Sequence, residues 1–331
     1  MQLTVIIVNY KTPRLLLNAV TSVFTETKSV EFEVIVVDNH SEDDSEKIIL
    51  AAHPQVRWID MGYNAGFARA NNRGILESDS AAILLLNPDT IIEGNAIATC
   101  YHQLMDSSYI ACGIQLLNAD RTPQISGLFF VKGGLNYLLP LPFMGNVLKS
   151  FAESVRVKKP NIAFTRGVEE VDWINGAFLM VKREAIEKAG LMDEDFFLYA
   201  EETEWCSRLR KAGKLCLFGN IQSIHLEGGT ADTVFQSEDM RYNLFGRKGR
   251  QIMVSNFVRI RKQYGSPWFL FLLLFYILEI PVFAVGVFFS QLFKQKQYDF
   301  SDVNSYTANV FYVVRILPII LRNQPHLYKV L

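Results

Sequence analysis

Short apolar runs near the N-terminus, each ending in polar groups and each separated from the next by helical periodicity, limit this chain to one broad architecture. The runs are Leu3–Val8, Phe32–Val37, Val56–Asp60 and Ala81–Leu86. After the first, Thr12 stands at a helix N-cap position with Pro13 behind it, and Leu15, Leu16, Ala19, Val20, Val23 and Phe24 follow at helical spacing. Ser41 and Asp44 have capping-box spacing ahead of Ile48, Ile49 and Ala52. Ala68–Glu77 reads as a third helix. Strands this apolar, joined through helices, require a parallel sheet covered on both faces. Ligands of such sheets sit at the carboxyl ends of the strands. Those ends carry Asn9-Tyr10, Asp38-Asn39 and Asn87-Pro88-Asp89, so three separate segments deliver polar groups to one crevice.

The middle, from about Asp120 to Val168, holds Gly133-Gly134, Pro140, Pro142 and Pro160 and reads as a loop-rich insertion that covers a binding site. Order resumes at Val171–Lys182, an apolar stretch broken by Asn175-Gly176. A short helix follows at Arg183–Ala189, closed by Gly190, then a helix at Glu201–Ala212 ended by Gly213, then a strand at Lys214–Phe218. The expected organisation is a domain over 1–262, with a nucleotide-binding half at 1–117 and an acceptor and catalytic half at 171–230, followed by an apolar helical region at 263–331.

Trp268–Phe293 is long enough to cross a bilayer, which takes roughly 20 apolar residues. Glu279 and Pro281 interrupt it, and Arg259, Arg261, Lys262, Lys294 and Lys296 flank it. That pattern favours an in-plane or re-entrant hairpin on a membrane. A buried helix pair or a homodimer interface are the other readings. Lys and Arg number 33 against 34 Asp and Glu, so no basic excess points to nucleic acid. The four cysteines, Cys100, Cys112, Cys206 and Cys216, are scattered with no CxxC pair, which favours reduced core thiols over a disulfide framework or a zinc site. The N-terminus lacks a basic segment and a cleavage site and begins directly with a strand, so this end is expected to stay in the cytoplasm.

Four positions carry candidate chemistry. Asp38, just past a buried strand, can accept the imide N–H of a uracil or thymine ring, or it can cap a helix. Asp89 can hold a divalent cation that neutralises a diphosphate leaving group, or serve as a loop Asp before Thr90; oxygen ligands suit magnesium or manganese. The cluster Glu201-Glu202-Thr203-Glu204 can supply a base for an acceptor hydroxyl, or only complement the helix macrodipole. His225, in Ile-His-Leu-Glu-Gly-Gly-Thr, can ligate a cation or contact a diphosphate, or be a structural His.

Together these segments resemble a family-2 glycosyltransferase of GT-A fold, in the bacterial rhamnosyltransferase-like branch. The resemblance runs from Val5 to about Thr230 and is carried by segments in family order: Val5-Ile-Ile-Val-Asn-Tyr-Lys, Val36-Val-Asp-Asn-His-Ser, Asn64-Ala-Gly-Phe-Ala-Arg-Ala-Asn-Asn-Arg-Gly, Leu86-Asn-Pro-Asp, Trp173-Ile-Asn-Gly-Ala-Phe-Leu-Met-Val-Lys-Arg, Phe196-Phe-Leu-Tyr-Ala-Glu-Glu-Thr-Glu-Trp-Cys-Ser-Arg and the His225 segment. The resemblance implies an α/β fold, a mostly parallel sheet flanked by helices. It implies transfer from a dTDP- or UDP-linked sugar, rhamnose among them. The transfer is expected to invert by one in-line displacement, and the apolar C-terminal segment points to a hydroxyl of a lipid-linked or cell-surface glycan as acceptor, at the cytoplasmic face of a membrane. By the same carry-over, Asp38 contacts the donor base and Tyr10 lies against its ring. Asn9, Asn64, Asn72 and Asn87 belong to the donor cleft, Trp173 and Gly176 to the acceptor side. Asp89, at the last Asp of the family's DxD motif, becomes the metal ligand together with His225. Glu202, where the family has Asp, becomes the catalytic base, with Glu201 as the competing choice.

Two departures stand out. The first Asp of DxD is Asn87, and the acidic segment is Glu-Glu-Thr-Glu in place of Glu-Asp-x-Asp. A sugar nucleotidyltransferase would want a Gly-rich phosphate loop with a Lys after the first strand; Asn9-Tyr10-Lys11-Thr12-Pro13 offers none. A non-catalytic sugar-nucleotide binder or membrane scaffold would bind donor without releasing nucleoside diphosphate.

Overall fold

The structure is a computed structural model that describes residues 1–154, 160–226, 243–293 and 298–330. Contacts divide these residues into two units. The first comprises Met1–Phe129, Pro160–Phe197 and 201–226; the second comprises 130–154, Leu198–Ala200, 243–293 and 298–330.

The first unit is built on one large sheet. Its parallel half consists of β1 (Leu3–Asn9), β2 (Phe32–Asp38), β3 (Arg57–Asp60) and β4 (Ala82–Leu86), in the order β3-β2-β1-β4. Every residue of β1 and β4 is buried, as a sheet covered on both faces demands. The crossovers run through α1 (Pro13–Glu26), α2 (Ser45–Ala52) and α3 (Phe67–Leu76). Two expected caps are absent. Thr12 precedes α1 without a capping hydrogen bond, because its hydroxyl donates to Asn9 Oδ1 (3.0 Å). Ser41 does not open α2, which begins four residues later, because its hydroxyl is taken by Asp38. Both hydroxyls serve the strand ends instead of the helices.

Beyond β4 the sheet becomes mixed. It continues through β11 (Phe178–Lys182), β6 (Ala111–Leu117), β12 (Leu215–His225) and the two-residue β5 (Thr90–Ile91), with β9 (Val168–Val171) also beside β12. β11 is antiparallel to both β4 and β6. The strand expected at Lys214–Phe218 runs on to His225. Its pairing with β6 slips between Phe218 and Gln222. Gly219 lies in that irregularity, where a Cβ would stand 2.3 Å from the carbonyl oxygen of Thr165. A small second sheet orders β10 (Trp173–Ile174), β7 (Gly127–Leu128) and β8 (Asn161–Ile162). The remaining helices of this unit are α4 (Ala96–Met105), α6 (Arg183–Ala189) and α7 (Glu201–Ala212). All four cysteines are buried thiols, as expected. Cys100 and Cys112 sulfurs lie 3.2 Å apart, well beyond a disulfide bond of about 2.05 Å, and burial pushes the Cys112 thiol up.

The second unit is helical. The expected loop-rich insertion contributes a 3₁₀ segment at Lys132–Leu138 and the helix α5 (Met144–Ser154). Three long helices follow: α8 (Gly246–Tyr264), α9 (Ser266–Leu292) and α10 (Phe300–Arg322). The hairpin expected over Trp268–Phe293 is not formed. α9 is one continuous helix with Pro281 inside it, 27 residues and so about 40 Å long. A Pro removes one hydrogen bond from a helix without forcing the chain to reverse. Glu279 does not break α9 either. It is wholly buried, and its carboxylate accepts the backbone N–H groups of Phe143 (2.6 Å) and Met144 (3.1 Å) at the start of α5. The one acidic side chain of α9 is thereby turned into the protein. The opposite surface of α9 exposes Leu270, Leu274, Leu278, Val285 and Phe288.

Candidate active site

Three polar clusters form at the carboxyl edge of the sheet. In the first, β1 and β2 end side by side, with Asn9 opposite Asp38. Asn9 Nδ2 donates to Asp38 Oδ1 (2.7 Å) and to Ser41 Oγ (3.1 Å). Ser41 donates its hydroxyl to Asp38 Oδ1 (2.6 Å) and its backbone N–H to Asp38 Oδ2 (2.8 Å). Asp38 therefore shapes the turn after β2 and caps no helix. A carboxylate offers about four acceptor sites, and three are filled within this cluster. The neighbouring Asn39 spans to the next loop, accepting from Ala65 N and donating to the Gly66 carbonyl (both 3.2 Å). Asn64 Oδ1 accepts from Gly66 N at 3.2 Å. Tyr10 is half-buried, with the Lys11 ammonium 5.4 Å from its ring centre.

The second cluster arises where β4 ends. Asn87-Pro88-Asp89-Thr90 closes a tight turn through Thr90 N to Asn87 O (3.1 Å), with Pro at the position whose fixed φ suits it. Thr90 then pairs with His225 across β5 and β12, and Leu226 N donates to Asp89 O (3.0 Å). That register, reached through the slip in β12, sets the His225 ring against Asp89. Nε2 of His225 lies 3.3 Å from Asp89 Oδ1 and 3.4 Å from Asn87 Nδ2. Nδ1 lies 2.9 Å from Gln124 Oε1, while Gln124 Nε2 donates to the His225 carbonyl (2.7 Å). A carbonyl oxygen only accepts, so Nδ1 carries a proton, and in the tautomer this fixes Nε2 is the nitrogen that can present a lone pair. Asp89 and His225 are only 4% and 7% exposed. Asp89 Oδ1 accepts no hydrogen bond among the described residues. Two electron-rich atoms thus face each other in a buried place, an arrangement that calls for a shared proton or a cation.

The donor set fits a divalent cation as one carboxylate oxygen and one imidazole nitrogen. Among the described residues, no group of three His, Cys, Asp or Glu side chains gathers around a metal position. Among the described residues the protein would offer such a cation only Asp89 and His225, and the rest of a coordination shell would come from elsewhere. Gln124, which fixes the ring tautomer, gave no signal in the sequence; it sits 101 residues from its partner in a stretch read as loop.

The third cluster centres on the first turn of α7. Trp173 Nε1 donates to Glu202 Oε1 (3.3 Å). Gly176 faces the same side chain: a Cβ there would meet Glu202 Cγ at 3.6 Å and the Phe67 ring at 3.8 Å. Glu201 is buried. Glu204 is committed to Arg208, one turn on, through contacts of 2.7, 2.8 and 3.0 Å, and Arg208 also donates to the Ala189 carbonyl (2.7 Å). Among the three carboxylates, Glu202 is half-buried whereas the other two are buried. The chain enters α7 through Tyr199 and Ala200, at φ of 70° and 68°. Two consecutive non-Gly residues in the left-handed region store strain, of order 1 kcal/mol or more each, where the acidic turn begins.

Of the sequence-predicted residues, Asp89 and His225 touch, Asn9 and Asp38 touch, and Glu202 touches Trp173 and lies against Gly176. Asp38 and Glu202 reach the Asp89–His225 pair only through intermediaries. Asn87 N donates to Ala177 O (3.1 Å), next to Gly176. On the other side, Asn39 holds Gly66, and Phe67 lies near Gly176. Asn72 is placed differently from the rest. Its amide exchanges two 2.9 Å hydrogen bonds with the backbone of Met192 and ties α3 to the loop after α6.

The family model for glycosyl transferase family 2 matches residues 4–146. The dTDP-rhamnosyl transferase RfbF of Shigella flexneri is 30% identical over 67% of this chain and 68% of its own length. The low-salt glycan biosynthesis hexosyltransferase Agl10 of Haloferax volcanii is 29% identical over 63% of this chain, which spans 62% of that relative. An N-acetylglucosaminyl-diphospho-decaprenol L-rhamnosyltransferase of Mycobacterium tuberculosis is 24% identical over 56% of this chain and 63% of its own length. Among solved structures, a mannosyltransferase of Pyrobaculum calidifontis in complex with GDP-Man and Mn2+ superposes with a TM-score of 0.53, at 14% identity, over 94% of this chain and 86% of that one. S. aureus TarS 1–349 in complex with UDP gives 0.50 at 11% identity, over 80% and 67%. The α/β sheet flanked by helices is the GT-A arrangement, and with the relative from Shigella flexneri matched over two thirds of both chains, this protein belongs to glycosyl transferase family 2.

Proposed function

We propose that the protein transfers a sugar, with inversion, from a nucleotide-diphosphate donor to a hydroxyl of a lipid-linked or cell-surface glycan. The observation that carries this reading is the Asp89–His225 pair: a carboxylate oxygen that accepts no hydrogen bond among the described residues and the ring nitrogen Nε2, 3.3 Å apart, at the edge where such sheets bind ligands. Asp89 and His225 would hold Mg2+ or Mn2+. A cation bound there supplies charge neutralisation to the leaving diphosphate. The donor base lies at the Asp38 cluster, where Asn9 and Ser41 fix the carboxylate and one acceptor site is left for a ring N–H. Glu202, held by Trp173, removes the proton from the acceptor hydroxyl as its oxygen attacks the anomeric carbon. The bond to the diphosphate oxygen breaks, and the nucleoside diphosphate leaves with that electron pair. The relatives named as rhamnosyl and hexosyl transferases support a dTDP- or UDP-linked hexose or deoxyhexose as donor.

The lipid-linked acceptor and the membrane location are supported by α9. It is the one described helix long and apolar enough to cross a bilayer, and most of its apolar length is not buried within the protein. An exposed apolar surface of this extent marks an interaction site. We read it as peripheral attachment to the cytoplasmic face of a membrane. Nucleoside-diphosphate release, measured over a panel of dTDP- and UDP-linked sugars with and without Mn2+, tests the activity. Release with one donor, dependent on the cation, is expected. Donor binding with no release for any sugar would leave a sugar-nucleotide binder instead.

A further inference from the structure

Arg259, on α8, is 2% exposed. Its guanidinium carbon lies 4.8 Å from the ring centre of Phe130, 5.3 Å from Tyr137 and 5.8 Å from Tyr264. Nη1 donates to the Tyr137 hydroxyl. Nε and Nη2 are buried with no hydrogen-bond acceptor, and no Asp or Glu pairs with Arg259 among the described residues. The aromatic rings offset part of the cost of burying the charge. They do not satisfy the Nε and Nη2 hydrogens, which lie on one edge of the guanidinium plane. That edge is the fork that takes two oxygens of a phosphate at once.

The surroundings fit an anion with an apolar tail. Phe130 and Tyr137 bracket Gly133 and Gly134, at φ of 66° and 74°. A Cβ at Gly133 would stand 2.5 Å from the ring of Trp268, at the start of α9. Tyr137 is fixed to α9 as well, since its carbonyl accepts from the Tyr276 hydroxyl (2.8 Å). The unpartnered guanidinium edge therefore belongs to a side chain packed on Phe130 and Tyr137, the ends of the segment that meets the first turns of α9, where the exposed apolar surface begins with Leu270 and Leu274.

We propose that Arg259 binds the phosphate group of an amphiphilic lipid whose chain lies along the outward surface of α9. This rests on the lipid-linked acceptor read above, and it names the group that holds the acceptor's charged end. The test is co-sedimentation of the full chain with vesicles of a phosphate-free glycolipid (digalactosyldiacylglycerol), plain, doped with hexadecyl phosphate, or doped with palmitate to the same charge. Roughly tenfold tighter binding to the hexadecyl phosphate vesicles is expected, the size of one charge-assisted hydrogen-bonded contact. Arg259→Met, close in volume and without charge, should abolish that preference and leave binding to plain vesicles intact.

Equal binding of the unmodified protein to the two anionic vesicles overturns the proposal, whatever the variant does. A preference that survives Arg259→Met also overturns it, and so does displacement by inorganic phosphate at equal concentration, which would assign the site to free phosphate. Donor hydrolysis by the unmodified protein, followed separately with water as acceptor, reports on the transferase reading alone. Its absence would sink that reading and leave the vesicle result standing.

Discussion

Nδ1–H of His225 donates a hydrogen bond to Gln124 Oε1, and that hydrogen bond decides what the other ring nitrogen offers. Gln124→Leu frees the ring to adopt the other tautomer, with a proton on Nε2 facing Asp89. The cation dependence of donor binding should then weaken by roughly 10- to 100-fold, the usual effect of removing a partner that orients a metal-binding His. Titration calorimetry with donor and Mn2+ measures it, and unchanged affinity would show that the tautomer is irrelevant. Asp89→Asn should remove the cation dependence altogether, because the amide keeps the shape and loses the charge. Glu202→Gln addresses the other half of the chemistry. It should lower kcat by about 10²- to 10⁴-fold, the range for loss of a general base, with donor affinity unchanged. Near-normal turnover would move the role to another group. Of the neighbouring carboxylates, Glu204 is fixed by Arg208 and could take over only by breaking that ion pair.

At the level of elements, the loop between β3 and α3 shows how the site is held. Gly66 has φ of 84°, and a Cβ on it would fall 2.3 Å from the carbonyl oxygen of Phe197. That carbonyl accepts from Phe67 N at 2.9 Å, so the close approach is built into the start of α3. Gly66→Ala combines a backbone conformation unfavourable to L-residues with a backbone clash, and should cost about 2–4 kcal/mol. Gly62, at φ of 71° with nothing within 4 Å of its would-be Cβ, meets only the first penalty. Gly62→Ala should cost about 1 kcal/mol. Thermal melting of the two variants separates the terms, and equal losses would mean that the Phe197 contact yields without cost.

Across the whole molecule, α9 combines a buried carboxylate with an apolar exterior. Leu274→Asp together with Phe288→Asp places charges at positions 51% and 57% exposed. Surface changes of this kind move stability by about 0.5 kcal/mol or less each, whereas vesicle binding through this surface should fall sharply. Co-sedimentation with phosphatidylcholine vesicles and thermal melting, done together, give the answer. Lost vesicle binding at unchanged melting temperature is expected. A fall in melting temperature with vesicle binding retained would mean that the surface is used within the protein.

Periodicity and burial were legible in the chain itself. The apolar runs became β1, β2, β3 and β4 at or within a residue of the expected limits, and Asn9, Asp38 and Asn87 followed at their carboxyl ends, because strand burial and helix spacing are properties of neighbouring residues. The buried thiols and the helix at Glu201–Ala212 were legible for the same reason. Partners distant along the chain were not. His225 meets Asn87 across 138 positions only because β12 slips register between Phe218 and Gln222 and then pairs with a two-residue strand. Thr12 and Ser41 abandoned their helices for polar partners at the strand ends, where a buried Asn9 and Asp38 had to be satisfied. The continuity of α9 and the open edge of Arg259 were likewise decided by packing. Local sequence specifies which side chains leave water; which of them then meet depends on register and on the hydrogen-bonding demands of groups already buried.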